Sequence, residues 1–164
     1  MSEPIDARRA AFEDLFSTHA TAVHRYAQRR TNASDVEDVV ADVFVIAWRK
    51  FDEIPDGFEQ AWLFRTAWNV LANRYRKYVE VPFEQLPDEP GDDIADTVIA
   101  DVTLQRAWQQ LSMRDREVLR LVAWEGMNGA ALAEALGISV SGAGVALSRA
   151  RERFTAACLA LSTT

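Results

Sequence analysis

Residues 58–78 read FEQAWLFRTAWNVLANRYRKY, and the interpretation of the whole chain starts from this stretch. No carboxylate occurs between residues 61 and 79, although the chain of 164 residues carries a formal net charge of −7. At about 100° per residue, a helix here separates an apolar face from a polar stripe. The predicted stripe comprises Trp62, Arg65, Thr66, Asn69, Asn73 and Arg76, with Arg74 on the core side near the helix end.

The chemistry of this stripe suits nucleic acid. Arginine neutralises phosphate, asparagine hydrogen-bonds to base edges, and an aromatic face stacks on an unpaired base. The alternative is an ordinary amphipathic helix whose polar face is only solvated. These residues alone leave both interpretations open.

Residues before and within this helix favour one of the two interpretations of the polar stripe. Residues 34–52 read SDVEDVVADVFVIAWRKFD, and residues 62–77 read WLFRTAWNVLANRYRK. Together they resemble the second conserved region of extracytoplasmic-function sigma factors, which direct RNA polymerase to promoters. The resemblance extends over residues 12–78. It implies that the stripe contacts the minus-ten promoter element through Phe58, Trp62, Arg65, Asn69, Asn73, Arg76 and Lys77.

Residues 34–49 predict a second amphipathic helix. Ser34 and Glu37 have the spacing of a capping box, and the following valines, Phe44 and Ala47 have the spacing of a buried face. The opposite face is acidic, with Val45 beside it. A charged stripe of this kind is also typical of a solvated surface. The resemblance implies instead that it docks on the clamp helices of the largest polymerase subunit, through Asp35, Asp38, Asp42, Phe44 and Trp48.

The structure of the segments before and between these two helices is predicted from their composition and from the spacing of their apolar residues. Residues 7–30 predict one or two helices, whose buried side chains are Phe12, Leu15, Phe16, Val23 and Tyr26. Pro55 and Gly57 break the chain between the helices into a loop. The resemblance implies that this loop holds a flipped-out base of the minus-ten element, for which Phe58, Glu59 and Gln60 are the available lining.

Residues 79–102 predict a linker between two domains, 1–78 and 103–164. Residues 80–101 contain eight acidic and no basic side chains, among several prolines. Such a segment is extended and solvated. The resemblance implies that it threads through the polymerase channels, and a plain tether is the alternative.

Residues 103–164 predict a helix-turn-helix domain. Ser112 begins a helix that ends at Gly126, a short helix covers 129–136, and Gly137 and Ser139 lead into the last helix. This segment resembles the fourth conserved region of sigma factors, which reads the minus-thirty-five element. The implied contacts are Ser139, Ser141, Val145, Ser148, Arg149, Arg151 and Arg153.

The last helix departs from the family pattern. Extracytoplasmic-function sigma factors usually carry Lys or Arg at the positions of Gly144 and Ala146, where the side chains face the groove. Neither residue here can reach a base edge, and glycine costs up to about 1 kcal/mol relative to alanine in a helix. We therefore expect a weak sequence preference at the minus-thirty-five element, with binding that is mostly electrostatic.

Composition excludes several other classes of protein. No apolar run is long enough to span a membrane, and residues 1–15 contain no hydrophobic signal segment, which predicts a cytoplasmic protein without membrane insertion. The only cysteine, Cys158, excludes an internal disulfide and a cysteine-built zinc site. No catalytic triad, phosphate-binding loop or metal-ligand cluster occurs. We expect no cofactor and no enzymatic activity.

The sequence thus predicts an all-α sigma factor whose partners are core RNA polymerase, at its clamp helices and flap, and promoter DNA. The resemblance also implies an anti-sigma factor. Two alternatives stay open at this point. The chain could be a stand-alone helix-turn-helix regulator, or a sigma-like protein-interaction module with weakened DNA reading.

Overall fold

A computed structural model describes residues 3–75 and 101–163 of the chain. Every regular element within these ranges is helical, so the all-α prediction is confirmed for them. The chain divides into two compact units, Met1–Lys77 and Tyr78–Thr164. Most of the predicted linker, 79–102, lies outside the described residues, and its start stays a prediction.

Residues 3–75 of the first unit form three α-helices and one short 3₁₀ helix. The α-helices are α1 (Glu3–Gln28), α2 (Val36–Arg49) and α3 (Glu59–Tyr75), and the 3₁₀ helix is Phe51–Glu53. Helix α1 is continuous over 26 residues. Each α-helix packs against the other two, because each contributes one apolar face to a common core.

The core of the first unit matches the predicted periodicity in α2 and α3. Tyr26 and Phe64 stack at its centre, with ring centroids 4.9 Å apart. Phe16, in contrast, is 45% exposed, so its assignment to the core was wrong. Leu15 and Val23 set the buried direction of α1, and Phe16 lies about 100° away from Leu15 around the helix. Only one edge of its ring packs inward, against Phe44.

The start of α2 also differs from the prediction. The N-cap residue is Asp35, with helical backbone angles of φ −100° and ψ −14°, and it makes no side-chain capping bond. Side-chain capping requires an extended N-cap residue. The predicted capping box between Ser34 and Glu37 is therefore wrong.

The described part of the second unit, residues 101–163, contains four helices: α4 (Val102–Gln109), α5 (Met113–Ala123), α6 (Gly129–Leu136) and α7 (Val140–Ser162). Helix α7 packs against the other three. Val102, which was assigned to the linker, begins α4, because the Asp101 carboxylate accepts hydrogen bonds from the backbone of Thr103 and Leu104. Helix α5 ends three residues before Gly126.

The turn between α6 and α7 follows the predicted pattern. Gly137 closes α6 in the left-handed region, with φ 69°, and Ser139 caps α7. Ala143 and Ala150 are buried on the inner face of α7, while Leu147 and Phe154 are half-buried. Among the described helices, none is long and apolar enough by itself to cross a membrane. Only α6 and α7 taken together meet that criterion, and they are bent by 90°.

Candidate functional site

The acidic face of α2 carries the predicted docking residues Asp35, Asp38 and Asp42. The Asp38 side chain is 73% exposed, and Asp42 is exposed one turn further along the helix. Asp35 lies half-buried at the helix start. The three carboxylates share one helix face, because they are spaced by three and four residues. This face can attract a basic partner.

Arg74 reaches these acids from the last turn of α3. Its Nη2 atom lies 3.2 Å from Oδ1 of Asp35 and 3.6 Å from Oδ2 of Asp38. The sequence had placed Arg74 on the core side of its helix, but the structure places it at the surface. One cation therefore partly neutralises two of the three docking acids.

The two aromatic docking residues predicted on α2 are less available than the acids. Phe44 is only 5% exposed and packs against Phe12 and Phe16, so its side chain is a core group and cannot contact a partner in this conformation. Trp48 is half-buried. The Phe12 ring lies 5.3 Å from the Trp48 ring, and the guanidinium of Arg8 lies 4.9 Å from it.

Helix α3 presents the predicted polar stripe, with one exception. Arg65, Asn69 and Asn73 are exposed, and Trp62 is half-buried at the start of the stripe. Thr66 is buried, and its hydroxyl donates to the carbonyl oxygen of Trp62 at 2.9 Å. Including Thr66 in the exposed stripe was therefore wrong. Arg76 and Lys77 lie outside the described residues.

The loop before α3 is held by short-range hydrogen bonds. Gly57 has φ 85°, which favours glycine, and its N–H donates to Oε1 of Glu59 at 2.6 Å. Nδ1 of His19 donates to Oε1 of Gln60 at 3.1 Å. Phe58 remains 37% exposed. Two of the three predicted lining residues are therefore fixed by neighbours, and Phe58 is open to an incoming base.

The entry to α7 depends on two small residues. The Ser139 hydroxyl accepts a hydrogen bond from the Gly142 N–H at 3.0 Å. A Cβ atom at residue 142 would lie 2.9 Å from that hydroxyl, so a larger residue there would require the hydroxyl to shift. Gly144 differs, since a Cβ atom would meet nothing within 4 Å. Ser139 thus acts first as a cap.

The outer face of α7 carries most of the predicted minus-thirty-five residues. Ser141, Val145 and Ser148 are exposed and follow steps of four and three residues, opposite the buried Ala143 and Ala150. The first two turns of this face carry no charge, and the next residue of the stripe is the exposed Glu152. The exposed cations of α7 lie beside it, and they are Arg149 and Arg151.

Arg153 does not belong with those two cations. Its Nη1 atom lies 3.0 Å from Oδ2 of Asp115, whose side chain is only 4% exposed. This ion pair ties α7 to α5 and gives Arg153 a positioning role, while its predicted phosphate contact stays a prediction. Removing the cation from a buried carboxylate destabilises the fold. The sequence pattern of α7 alone could not reveal this pair, because Asp115 lies on another helix.

Arginines of α5 fix the end of α4 within the same unit. Arg116 donates from Nε to the carbonyl oxygen of Trp108 at 3.1 Å and from Nη2 to that of Gln109 at 2.7 Å. The guanidinium of Arg120 lies 5.3 Å from the Trp108 ring and 5.9 Å from the Trp124 ring. Within the residues described, no group of His, Cys, Asp and Glu is arranged to hold a metal ion.

Two family models match the chain. Sigma-70 region 2 covers residues 15–79, and Sigma-70, region 4 covers residues 101–154. The RNA polymerase sigma factor CnrH of Cupriavidus metallidurans is 31% identical over an alignment 174 residues long. The alignment covers 94% of this chain and 90% of the relative. The RNA polymerase sigma-E factor of Streptomyces coelicolor is 31% identical over 146 residues, spanning 87% and 82%.

Solved structures agree with these matches. The structure of CnrH in complex with the cytosolic domain of CnrY has a TM-score of 0.62 at 29% identity, and covers 90% of this chain and 87% of that one. The sigma factor RpoE of Bartonella quintana, solved with the anti-sigma factor NepR, has a TM-score of 0.60 and covers 90% and 96%. The similarity to RpoE, at 23% identity, supports the fold alone.

Proposed function

The chain belongs to the extracytoplasmic-function RNA polymerase sigma factors. We propose that separate exposed surfaces of the chain bind the polymerase, the minus-ten element and the minus-thirty-five element. The family membership means that the chain binds core RNA polymerase and directs initiation at promoters. It also points to a transcription factor rather than an enzyme. The stand-alone regulator and the pure interaction module have no comparable support.

The acidic face of α2 is our proposed docking surface for the polymerase clamp. Asp38 and Asp42 offer exposed carboxylates to basic groups, and Asp35 adds a third at the helix start. Complementary charge accelerates association and fixes the orientation of a complex. Half-buried Trp48 supplies apolar surface beside the acids. Val45, which is 48% exposed on the same helix, replaces Phe44 in this proposal.

Helix α3 is our proposed minus-ten contact, and its exposed stripe carries this part of the proposal. Arg65, Asn69 and Asn73 present donors and acceptors from a helix segment that has no carboxylate after Glu59. Asparagine can make a bidentate contact with adenine, and aromatic rings hold unpaired bases by stacking. Phe58 and Trp62 lie at the start of α3, where a base leaving the duplex would be captured.

Helix α7 is our proposed contact with the minus-thirty-five element. Its outer face and its exposed arginines would enter or border the major groove, as the second helix of a helix-turn-helix does. We further propose an anti-sigma partner, since CnrH was solved with the cytosolic domain of another protein. The place of action would be the cytoplasm, where RNA polymerase works.

The direct test is reconstitution with purified core RNA polymerase. The full chain should co-purify with core enzyme and should allow run-off transcription from discrete start sites on genomic DNA of the host. Core enzyme alone is the control. Failure to form a holoenzyme, or transcription identical to that of core alone, would contradict the proposed function.

A further inference from the structure

The outer face of α7 has an apolar side chain at its centre. Ala143 and Ala150 are buried at 1% and 0% exposure and define the inward direction of the helix. At about 100° per residue, the opposite direction falls on Ser141, Val145 and Ser148. Val145 is 49% exposed between the two serines. A large apolar group therefore occupies the point of α7 that would lie deepest in a groove.

The residues beside Val145 leave it unobstructed. Gly144 has no side chain, and the space where its Cβ would lie contains no atom within 4 Å. Ala146, on the other side in sequence, has only a methyl group and is half-buried. These two residues add no long side chain, and the exposed Arg149, one turn further along, is the long side chain on the same side of the helix. The backbone around Val145 can therefore approach a base edge closely.

The chemistry of the major groove limits what this face can recognise. Base edges there present hydrogen-bond donors, acceptors and one apolar group, which is the C5-methyl group of thymine. A valine side chain has no donor or acceptor, so only the methyl group is complementary to it. The serine hydroxyls on either side can bond to any base, so they add affinity without strong preference.

We propose that Val145 contacts thymine methyl groups and gives the second unit a shallow preference for thymine in duplex DNA. This inference rests on the proposed role of α7 at the minus-thirty-five element. One buried methyl group contributes about 0.8 kcal/mol, which corresponds to about a fourfold preference. This is below the range of about 1–3 kcal/mol for a good bidentate arginine contact. The preference is thus consistent with the weak reading expected from Gly144 and Ala146.

The test uses the reconstituted holoenzyme and one of the promoters found by run-off transcription. The minus-thirty-five window of that promoter is randomised in two duplex libraries. One library contains thymine, and the other contains deoxyuridine in place of every thymine of the window, which removes only the methyl group. The base frequencies of the bound fraction are then compared with those of the input.

Three proteins are compared: wild type, Val145→Ser and Val145→Ile. We expect wild type and Val145→Ile to enrich thymine about fourfold at one or two positions, and to enrich deoxyuridine at none. Val145→Ser should enrich neither base. Because Val145 is exposed, its substitution should leave the unfolding midpoint unchanged, and this measurement serves as the folding control.

Several results would overturn the inference. Equal enrichment of thymine and deoxyuridine by wild type would mean that groove shape or hydrogen bonding is read instead of the methyl group. Thymine enrichment retained by Val145→Ser would assign the contact to another residue, and no enrichment by wild type would remove the preference. Failure of the proposed function is distinguishable, because it would appear earlier as loss of holoenzyme formation or of initiation.

Discussion

Helices α3 and α7 are both proposed to face promoter DNA, but their exposed surfaces are built differently. Helix α3 presents Arg65, Asn69 and Asn73, whose long or bidentate polar groups reach outward. The centre of the outer face of α7 has only serine hydroxyls and Val145. Long polar side chains discriminate between bases by about 1–3 kcal/mol per good pair, whereas small ones permit close approach with little discrimination. Sequence preference should therefore be strongest at the minus-ten element.

The largest effect should come from the docking face, on which both DNA contacts depend in the holoenzyme. Asp38→Lys with Asp42→Lys should lower affinity for core polymerase by at least about tenfold, because two attractions become repulsions. Binding is measured by titration of labelled core enzyme. The matched control is Asp52→Lys with Glu53→Lys, two exposed acids of the 3₁₀ helix that change the net charge equally. Equal losses in both variants would mean that overall charge matters and the α2 face does not.

The next effect tests the α3 side of the comparison. Asn69→Ala with Asn73→Ala should slow open-complex formation on duplex promoters about tenfold or more, since each lost base contact costs about 1–3 kcal/mol. A pre-melted template should restore part of the rate. Thr66→Val is the control, because the buried Thr66 should be irrelevant to DNA. Undiminished transcription by the double variant on both templates would remove α3 from the mechanism.

Adding long side chains to α7 should make the two helices more alike. Gly144→Arg with Ala146→Arg should raise affinity for duplexes carrying the minus-thirty-five region about fivefold to a hundredfold, the range of one good base contact. Gly144 supplies most of this gain, since its missing side chain leaves open space. Holoenzyme binding is measured across a salt titration, because added phosphate contacts steepen the salt dependence. Unchanged affinity and salt slope would show that these positions do not face DNA.

The smallest effect separates the two glycines of α7. Gly144→Ala should stabilise the second unit by up to about 1 kcal/mol, as alanine favours the helix. Gly142→Ala should give a smaller gain, because its methyl group would lie 2.9 Å from the Ser139 hydroxyl and would strain a cap that contributes about 1 kcal/mol. Denaturant unfolding followed by circular dichroism compares the variants. Equal stabilisation by both would contradict the capping geometry.

Much of the fold followed from local sequence patterns. Ser112, Gly137 and Ser139 marked the helix ends of the second unit, because caps and left-handed turns depend on a few adjacent residues. The same periodicity placed Asn69 and Asn73 at the surface. Local patterns thus predicted the elements and the centre of each exposed face.

Apart from the capping box predicted at the start of α2, the main errors occurred at face borders and in pairs distant in sequence. Phe16 and Thr66 lie at borders between buried and exposed faces, where period alone does not decide burial. Arg74 and Arg153 find their acids, Asp35 and Asp115, 39 and 38 residues away. Such pairs depend on helix packing, which the sequence of a single helix does not contain.

The central claim is that promoter choice is made mainly by the minus-ten surface of the first unit. The most direct measurement is initiation by the reconstituted holoenzyme on a promoter library in which both the minus-ten and minus-thirty-five windows are randomised. We predict strong base preferences in the minus-ten window and a shallow, thymine-weighted preference in the minus-thirty-five window. A minus-thirty-five preference as strong as that at minus-ten, or stronger, would contradict this account.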